Sequence, residues 1–451
     1  MGKLRFYIAF YIAKIAIIVL KILRRNATYM PGKIAIKICP EFLKYIDKPQ
    51  KIIAVTGTNG KTTVCNIIND ILIDSGYNIL NNRLGSNLNS GLATALLSKA
   101  KLNNKIKQDI AVFEVDERSS KLIYKYIEPN YLVCTNLFRD SIKRNAHTDY
   151  IVNIINSSLP KNTTLILNAD DLISCSLGKE NPKIYFGIDK LDTDVEETSN
   201  IIKDIKTCPI CDTKLKYKYA RYHHIGKAYC PNCDFASPES DYLVTKIDKE
   251  NKEITIKHKE MEHKYPMIAD SIFNIYNTLA AIAVLREIGV PEEKIQASLG
   301  TIKIVETRMS EEIINNKKVI THLTKGQNPV AASRVFDYVQ SEPGNKAIIL
   351  ITDDCDDAKN SSENLTWLYD ADFELLNKDG IKQIIIGGVR ANDYYLRLLF
   401  AGVPEEKLIK VENELETTKF IDKENVDTIF ILHDIYKYDV ALKLKDNLRE
   451  E

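Results

Sequence analysis

Residues 51–63 read KIIAVTGTNGKTT, and no other stretch restricts the fold as tightly. An apolar run of strand length meets a glycine-bounded turn and passes directly into CNIINDILIDSG, whose apolar spacing is helical. Strand, loop and helix in that order gather backbone N–H groups and a helix N-terminus at one point, which is a cradle for phosphate. Gly57, Thr58, Asn59, Gly60, Lys61, Thr62 and Thr63 supply it: the glycines let the backbone close, Lys61 reaches the outer phosphates, and Thr62 can hold Mg²⁺. The commoner GxxxxGK[ST] spacing would need glycine at position 55, where the chain has Val55, so this is the shorter GTNGKT form.

Further short apolar runs follow. IAVFEVDE, YLVCTN, TTLILNADD and KIYFGID read as strands separated by helical or polar stretches, the pattern of a mostly parallel α/β sheet. From Val319 onward strand and helix alternate again through AIILITDD, IKQIIIGGV, DYYLRLLFAGV and TIFILHD, which predicts a second α/β domain of Rossmann-like character. A length of 451 residues accommodates that division. The expected organisation is a hydrophobic basic helix over 1–30, a central P-loop domain over 31–305 carrying a Cys-rich insertion over 206–236, and a carboxyl α/β domain over 306–451. A net charge of +1 argues against polyanion binding, and 45% hydrophobic with 27% charged residues argues against disorder. Nine cysteines are too sparse for a disulfide scaffold of this size and point to a reducing, cytoplasmic compartment.

Two sets of residues suggest metals. Glu114, in the EVDE that ends an apolar strand, would emerge at the carboxyl edge of the sheet beside the phosphate loop, where it is a candidate Mg²⁺ ligand. His147 in NAHTD could add a ligand, although a lone loop histidine is more often simply exposed. Cys208-Pro-Ile-Cys211 and Cys230-Pro-Asn-Cys233, 18 residues apart, have the spacing of a four-thiolate Zn²⁺ ribbon. Four protein ligands leave no open position, so such a site is structural. Of the other cysteines, Cys39, Cys65, Cys134 and Cys175 read mostly as core residues, and Cys355 sits in an acidic loop that opposes nucleophilicity.

The amino terminus is an exception to the ordinary composition. FYIAFYIAKIAIIVLKIL (6–23) is nearly all apolar, and at about 100° per residue Lys3, Lys14, Lys21 and Arg25 fall on one face. A basic stripe on an apolar helix suits the headgroup layer of a membrane better than a crossing, with packing against the body or a partner as the alternative.

The set GTNGKTT, FEVDE, TNLFRD, LNADD and FNIYNTLAA resembles the Mur ligase family, and PGKIAIKI, NRLGSNLNSG, TWLYDADFE and GGVRANDYYLRLLFAGV extend the resemblance to its MurT branch over nearly the whole length. Only about 50 residues precede the P-loop strand, so the UDP-binding domain of the usual amino-acid-adding members has no room here. The resemblance implies ATP with Mg²⁺ at Thr62 and Glu114, nucleotide contacts from Asn274 and Asn277, and Arg308 approaching the γ-phosphate. It further implies a carboxyl-domain aspartate for ammonia handling, for which Asp356 and Asp357 are both candidates. The implied activity is formation of an acyl phosphate on a cell-wall stem-peptide glutamate and its amidation with ammonia from a GatD-like glutaminase subunit. The chain departs from the pattern at Ser310 in ETRMS, at TKGQNP around Lys325 and Asn328, and at HDIYKYD. Those departures keep open a stand-alone ligase that adds an amino acid to a peptidoglycan or pseudomurein precursor. A zinc-ribbon adaptor without catalysis is a third class, and the complete GTNGKTT opposes it.

Overall fold

The computed structural model describes residues 2–140, 147–302, 309–324, 328–352 and 364–450. Arg308, Lys325, Cys355, Asp356 and Asp357 lie outside these described residues. The chain divides into two compact units: Met1–Phe138 with Thr148–Thr198 and Asp204–Ile304, and Arg139–His147 with Ser199–Lys203 and Val305–Glu451.

In the first unit, α1 (Gly2–Ile22), α2 (Met30–Ile38) and α3 (Phe42–Tyr45) precede β1 (Lys51–Thr56). After α4 (Lys61–Asp74), β2 (Ile79–Asn81) and α5 (Asn89–Lys99) come β3 (Ile110–Glu114), β4 (Tyr131–Cys134), β5 (Thr164–Asn168) and β6 (Lys183–Ile188). The hairpin β7 (Lys216–Tyr222) and β8 (Ile225–Tyr229) is inserted before β9 (Tyr242–Asp248), β10 (Glu253–His258) and β11 (Met261–Pro266). The sheet runs β11-β10-β9-β6-β5-β4-β1-β3-β2, parallel except for β10, which is antiparallel to both β9 and β11 near one edge. Its central strands are buried on both faces, as their continuous apolar runs require. β1 lies between β3 and β4, so its loop opens at a reversal in strand order, the usual position of a ligand crevice. A helix buried from Ile275 to Leu285, α6 (Ile272–Glu287), packs against α4 and the sheet; a helix apolar on all sides has no face to give to water.

α1 is packed on one face. Phe6, Ala9, Phe10, Ala13 and Ile17 are buried against α2, α3 and α5, and the Phe6 ring lies 5.1 Å from that of Phe42. Burial of Phe6, Phe10 and Ile17 stabilises this attachment by on the order of 2 kcal/mol each. The expected basic stripe is correspondingly altered. Arg25 lies past the last residue of α1, and the half-buried Lys14 donates to the Ala100 carbonyl at the end of α5. Among the described residues no helix is long and apolar enough to cross a membrane.

In the second unit six strands run β12 (Met309–Ile314), β13 (Lys317–Leu323), β17 (Thr428–His433), β14 (Lys346–Ile351), β15 (Ile381–Gly387) and β16 (Leu408–Val411) in spatial order. All but β12 are parallel. Helices α7 (Pro329–Ser341) and α8 (Tyr438–Glu450) contribute to two apolar clusters of this unit. The α/β fold class expected from the alternating pattern is what both units have.

Candidate active site

The loop between β1 and α4 is held by the TNLF segment after β4. Asn136 accepts from the Thr58 N–H through its backbone oxygen (2.8 Å) and from the Asn59 N–H through its side chain (3.0 Å). The Thr135 hydroxyl donates to the Asn59 carbonyl at 2.6 Å, and the Thr58 hydroxyl to Phe138 O at 3.1 Å. Gly57 and Gly60 have φ of +126° and +89°, a region that side-chain-bearing residues rarely adopt. Space is equally decisive: a Cβ on Gly57 would lie 2.2 Å from Thr135 Oγ1, and one on Gly60 would lie 2.2 Å from Asn277 Oδ1.

Lys61 opens α4. Its ammonium donates to the Gly57 carbonyl and pairs with Glu117 Oε1 at 2.7 Å. Burial works to lower this group's pKa, but the carboxylates of Glu117, foremost, and of Glu114 and Asp116 together more than offset it, and Lys61 is held above the ordinary lysine value. The Thr62 hydroxyl donates to Glu114 Oε2 at 2.8 Å, and Asn87 Nδ2 donates to Glu114 Oε1 at 3.1 Å. Asn82 fixes the backbone of Glu114 in both directions: its Oδ1 accepts from the Glu114 N–H and its Nδ2 donates to the Glu114 carbonyl, each at 2.9 Å. A hydroxyl and a carboxylate that already meet across 2.8 Å, the hydroxyl exposed, are an oxygen pair that fits Mg²⁺. Asn277 is buried beside Gly60, and its amide lies 3.5 Å from Asn274 Oδ1. The structure thus brings together Gly57 to Thr63, Glu114, Asn274 and Asn277. His147 is exposed and belongs to no cluster of three or more ligand-type side chains among the described residues.

Sequence reasoning assigned no role to Glu117, Asn136, Asn82 or Asn87. Glu117 and Asn136 stand inside FEVDE and TNLFRD, and Asn82 and Asn87 inside NRLGSNLNSG, so the signal was present in motifs already quoted, and only the assembled strands show which of their residues meet the loop.

The Cys-rich insertion converges. The four Sγ atoms of Cys208, Cys211, Cys230 and Cys233 all lie within 4.8 Å of one another, with 3.5 Å for Cys208–Cys233 and for Cys211–Cys230. Tetrahedral Zn²⁺ with Zn–S near 2.3 Å requires sulfurs about 3.8 Å apart. The amides of Ile210 and Asn232 each point at a sulfur, Cys208 and Cys230, from 3.4 Å, so the two knuckles repeat one another. The donor set fits structural zinc.

The hairpin behind the ribbon is tied to the sheet by buried charges. Arg221 pairs with Asp194 (2.7 Å) and with Asp170 (3.3 Å), and the Tyr276 hydroxyl of α6 donates to Asp170 at 2.6 Å. His224 Nε2 lies 3.1 Å from Asp171 Oδ1, while Asp171 Oδ2 accepts from the Leu137 N–H at 2.7 Å. Both aspartates come from LNADD, which therefore joins the ribbon to the segment that holds the P-loop.

Of the other cysteines, Cys39, Cys65 and Cys134 are buried and Cys175 is half-buried. Burial first, then neighbouring carboxylates, push the Cys65, Cys134 and Cys175 thiols well up, so none is a ready nucleophile.

Loop, lysine, carboxylate and asparagine helix at the switch point of a parallel sheet define a P-loop enzyme of the nucleotide-using α/β class. The model of the Mur ligase middle domain matches residues 55–237, and that of the MurT ligase C-terminal domain matches residues 325–436. The chain is 31% identical over 423 residues to the MurT subunit of lipid II isoglutaminyl synthase (glutamine-hydrolyzing) from Staphylococcus aureus, covering 93% of each chain. The subunit of the same name from Streptococcus pneumoniae is 31% identical over 420 residues, with 92% of this chain and 91% of that one covered. Among solved structures, a pseudomurein peptide ligase type C from Methanothermus fervidus superposes with a TM-score of 0.67 at 23% identity, over 91% of this chain and 80% of that one. The chain belongs to the Mur ligase family and, within it, to the MurT branch.

Proposed function

We propose that this chain is the ATP-using synthetase of a glutamine-dependent amidotransferase acting on a lipid-linked cell-wall precursor. The observation that carries the reading is the identity to MurT subunits across 93% of the chain. The assembled loop of Lys61, Thr62 and Glu114 supports it. ATP would lie along Gly57 to Thr63, with Asn274 and Asn277 on the nucleotide, and Mg²⁺ on Thr62 and Glu114 would offset the phosphate charge. The γ-phosphoryl group passes to a stem-peptide glutamate carboxylate, giving an acyl phosphate and ADP. Ammonia then attacks the acyl carbon, the C–N bond forms as the C–O bond to phosphate breaks, and phosphate leaves with the amide product. Lys61 and Arg308 are assigned to the charge on the transferring oxygens, and Asp356 or Asp357 to the ammonia step.

Ammonia comes from a separate GatD-like glutaminase, Zn²⁺ on the four cysteines acts as a folding staple, and the protein works in the cytoplasm at the inner face of the membrane. The departures at TKGQNP and HDIYKYD favour a second reading, a stand-alone ligase joining an amino acid to a peptidoglycan or pseudomurein precursor. Phosphate release distinguishes the two. The expected result is release with lipid-linked precursor, glutamine and the glutaminase together, and none with a panel of free amino acids. Release with an amino acid alone overturns the amidotransferase, and no release under any condition revives the adaptor.

A further inference from the structure

α1 carries a second apolar face that none of the described residues covers. Opposite its packed side, Leu4, Ile8, Ile12, Ile15, Val19 and Ile22 are 42–75% exposed. At about 100° per residue these six fall within roughly 80° of one another, a continuous aliphatic stripe about 30 Å long. A stripe of that extent is a contact surface rather than a scatter of single exposed residues.

Charge indicates what would cover it. The first 48 residues hold ten basic and two acidic side chains, net +8, so the remaining chain carries −7 although the whole is nearly neutral. Lys3 and Lys21 are exposed together about 100° around the helix from one edge of the stripe, while Arg5 borders its other edge, anchored through its bond to the Ile38 carbonyl. Lys33 and Lys37 stand exposed on the adjacent α2. Tyr7, on α1 itself, lines a cleft with Lys44, Lys48 and Lys105. Two copies apposed through this region would bring like charges together, whereas an anionic surface is complementary to it.

We propose that the outward face of α1 docks the protein on an anionic lipid bilayer, its aliphatic stripe in the acyl boundary and the basic side chains around it among the headgroups. The inference rests on the proposed function only for its placing at the inner membrane face. Its test uses neither precursor nor nucleotide, so it can fail or succeed independently of the reaction.

The full-length chain is sedimented with vesicles of phosphatidylcholine, with and without phosphatidylglycerol. Binding to the anionic vesicles is expected to be at least about 10-fold stronger and to fall with salt. Ile8→Glu/Ile15→Glu is expected to weaken it at least about 10-fold, with ATP affinity and melting temperature unchanged. Lys3→Glu/Lys21→Glu narrows the difference between the two vesicle types. In Ile15→Trp the added emission moves to the blue on anionic vesicles, which reads insertion without a disruptive charge. Absence of wild-type sedimentation, equal binding by the double glutamate variant, or an unshifted Ile15→Trp emission overturns the proposal. So does a light-scattering mass of a dimer that becomes a monomer in Ile8→Glu/Ile15→Glu, which would assign the face to a second copy.

Discussion

Gly60 and Asn277 are in contact where the β1–α4 loop meets α6: a Cβ on residue 60 would stand 2.2 Å from the Asn277 amide oxygen. The turn of the P-loop and the α6 asparagine are therefore shaped against each other. Gly60→Ala meets two obstacles, the collision and a φ of +89°, the second alone costing about 1 kcal/mol. ATP affinity by calorimetry is expected to fall at least about 10-fold. Removing the amide in Gly60→Ala/Asn277→Ala should not restore it, because the backbone strain remains. Restoration to the wild-type value would mean that only the collision matters.

Thr62 and Glu114 make the second prediction. Their side chains share one short hydrogen bond and, on the proposed reading, one Mg²⁺. Thr62→Val and Glu114→Gln are each expected to raise the Mg²⁺ concentration for half-maximal phosphate release at least about 10-fold. The double variant should do little more than the worse single one, since groups acting on one ion do not add. Independent, multiplying effects would place the metal elsewhere.

How much of this was legible beforehand follows from what kind of information each feature needs. The loop could be read because strand, glycines, lysine and helix are contiguous, and each imposes its own local requirement. The two CxxC pairs could be read because thiolate spacing is nearly sufficient for a ribbon. Glu117 was visible but undistinguished: EVDE holds three acids in four residues, and only the register of β3 against β1, with Val55 opposite Glu114, decides which faces Thr62 and which reaches Lys61. The α1 face was only partly legible for a related reason. Helical angles locate the lysines relative to one another, but which apolar side is packed depends on α2, α3 and α5, which no periodicity within α1 encodes.

Arg221 links the ribbon hairpin to Asp170 and Asp194 in a site closed to water. Arg221→Met leaves two buried carboxylates without their cation, and a loss of about 3–5 kcal/mol is expected, read as a lower melting temperature. Zinc content by mass spectrometry should stay at one ion per chain, since none of the four cysteines is touched. Loss of the metal together with stability would mean that the anchor and the ribbon are a single folding unit.

His433 makes the second unit sensitive to acid. It ends β17 at 4% exposure, with Nδ1 2.8 Å from the Asp434 carbonyl oxygen and its ring 5.7 Å from that of Tyr438. Burial lowers its pKa below the ordinary 6.5, and the backbone contact of Asp434 offsets only part of that. The unfolded chain therefore takes up a proton before the folded chain does as pH falls. This group's contribution to stability is present above about pH 6.5 and is lost progressively below it. Urea midpoints of the second-unit transition, followed through the Trp367 fluorescence, should decline from pH 7.5 to 5.5 in the wild type. The decline should be shallower in His433→Gln, which cannot titrate. An equally steep decline in the variant would assign the acid sensitivity to other groups.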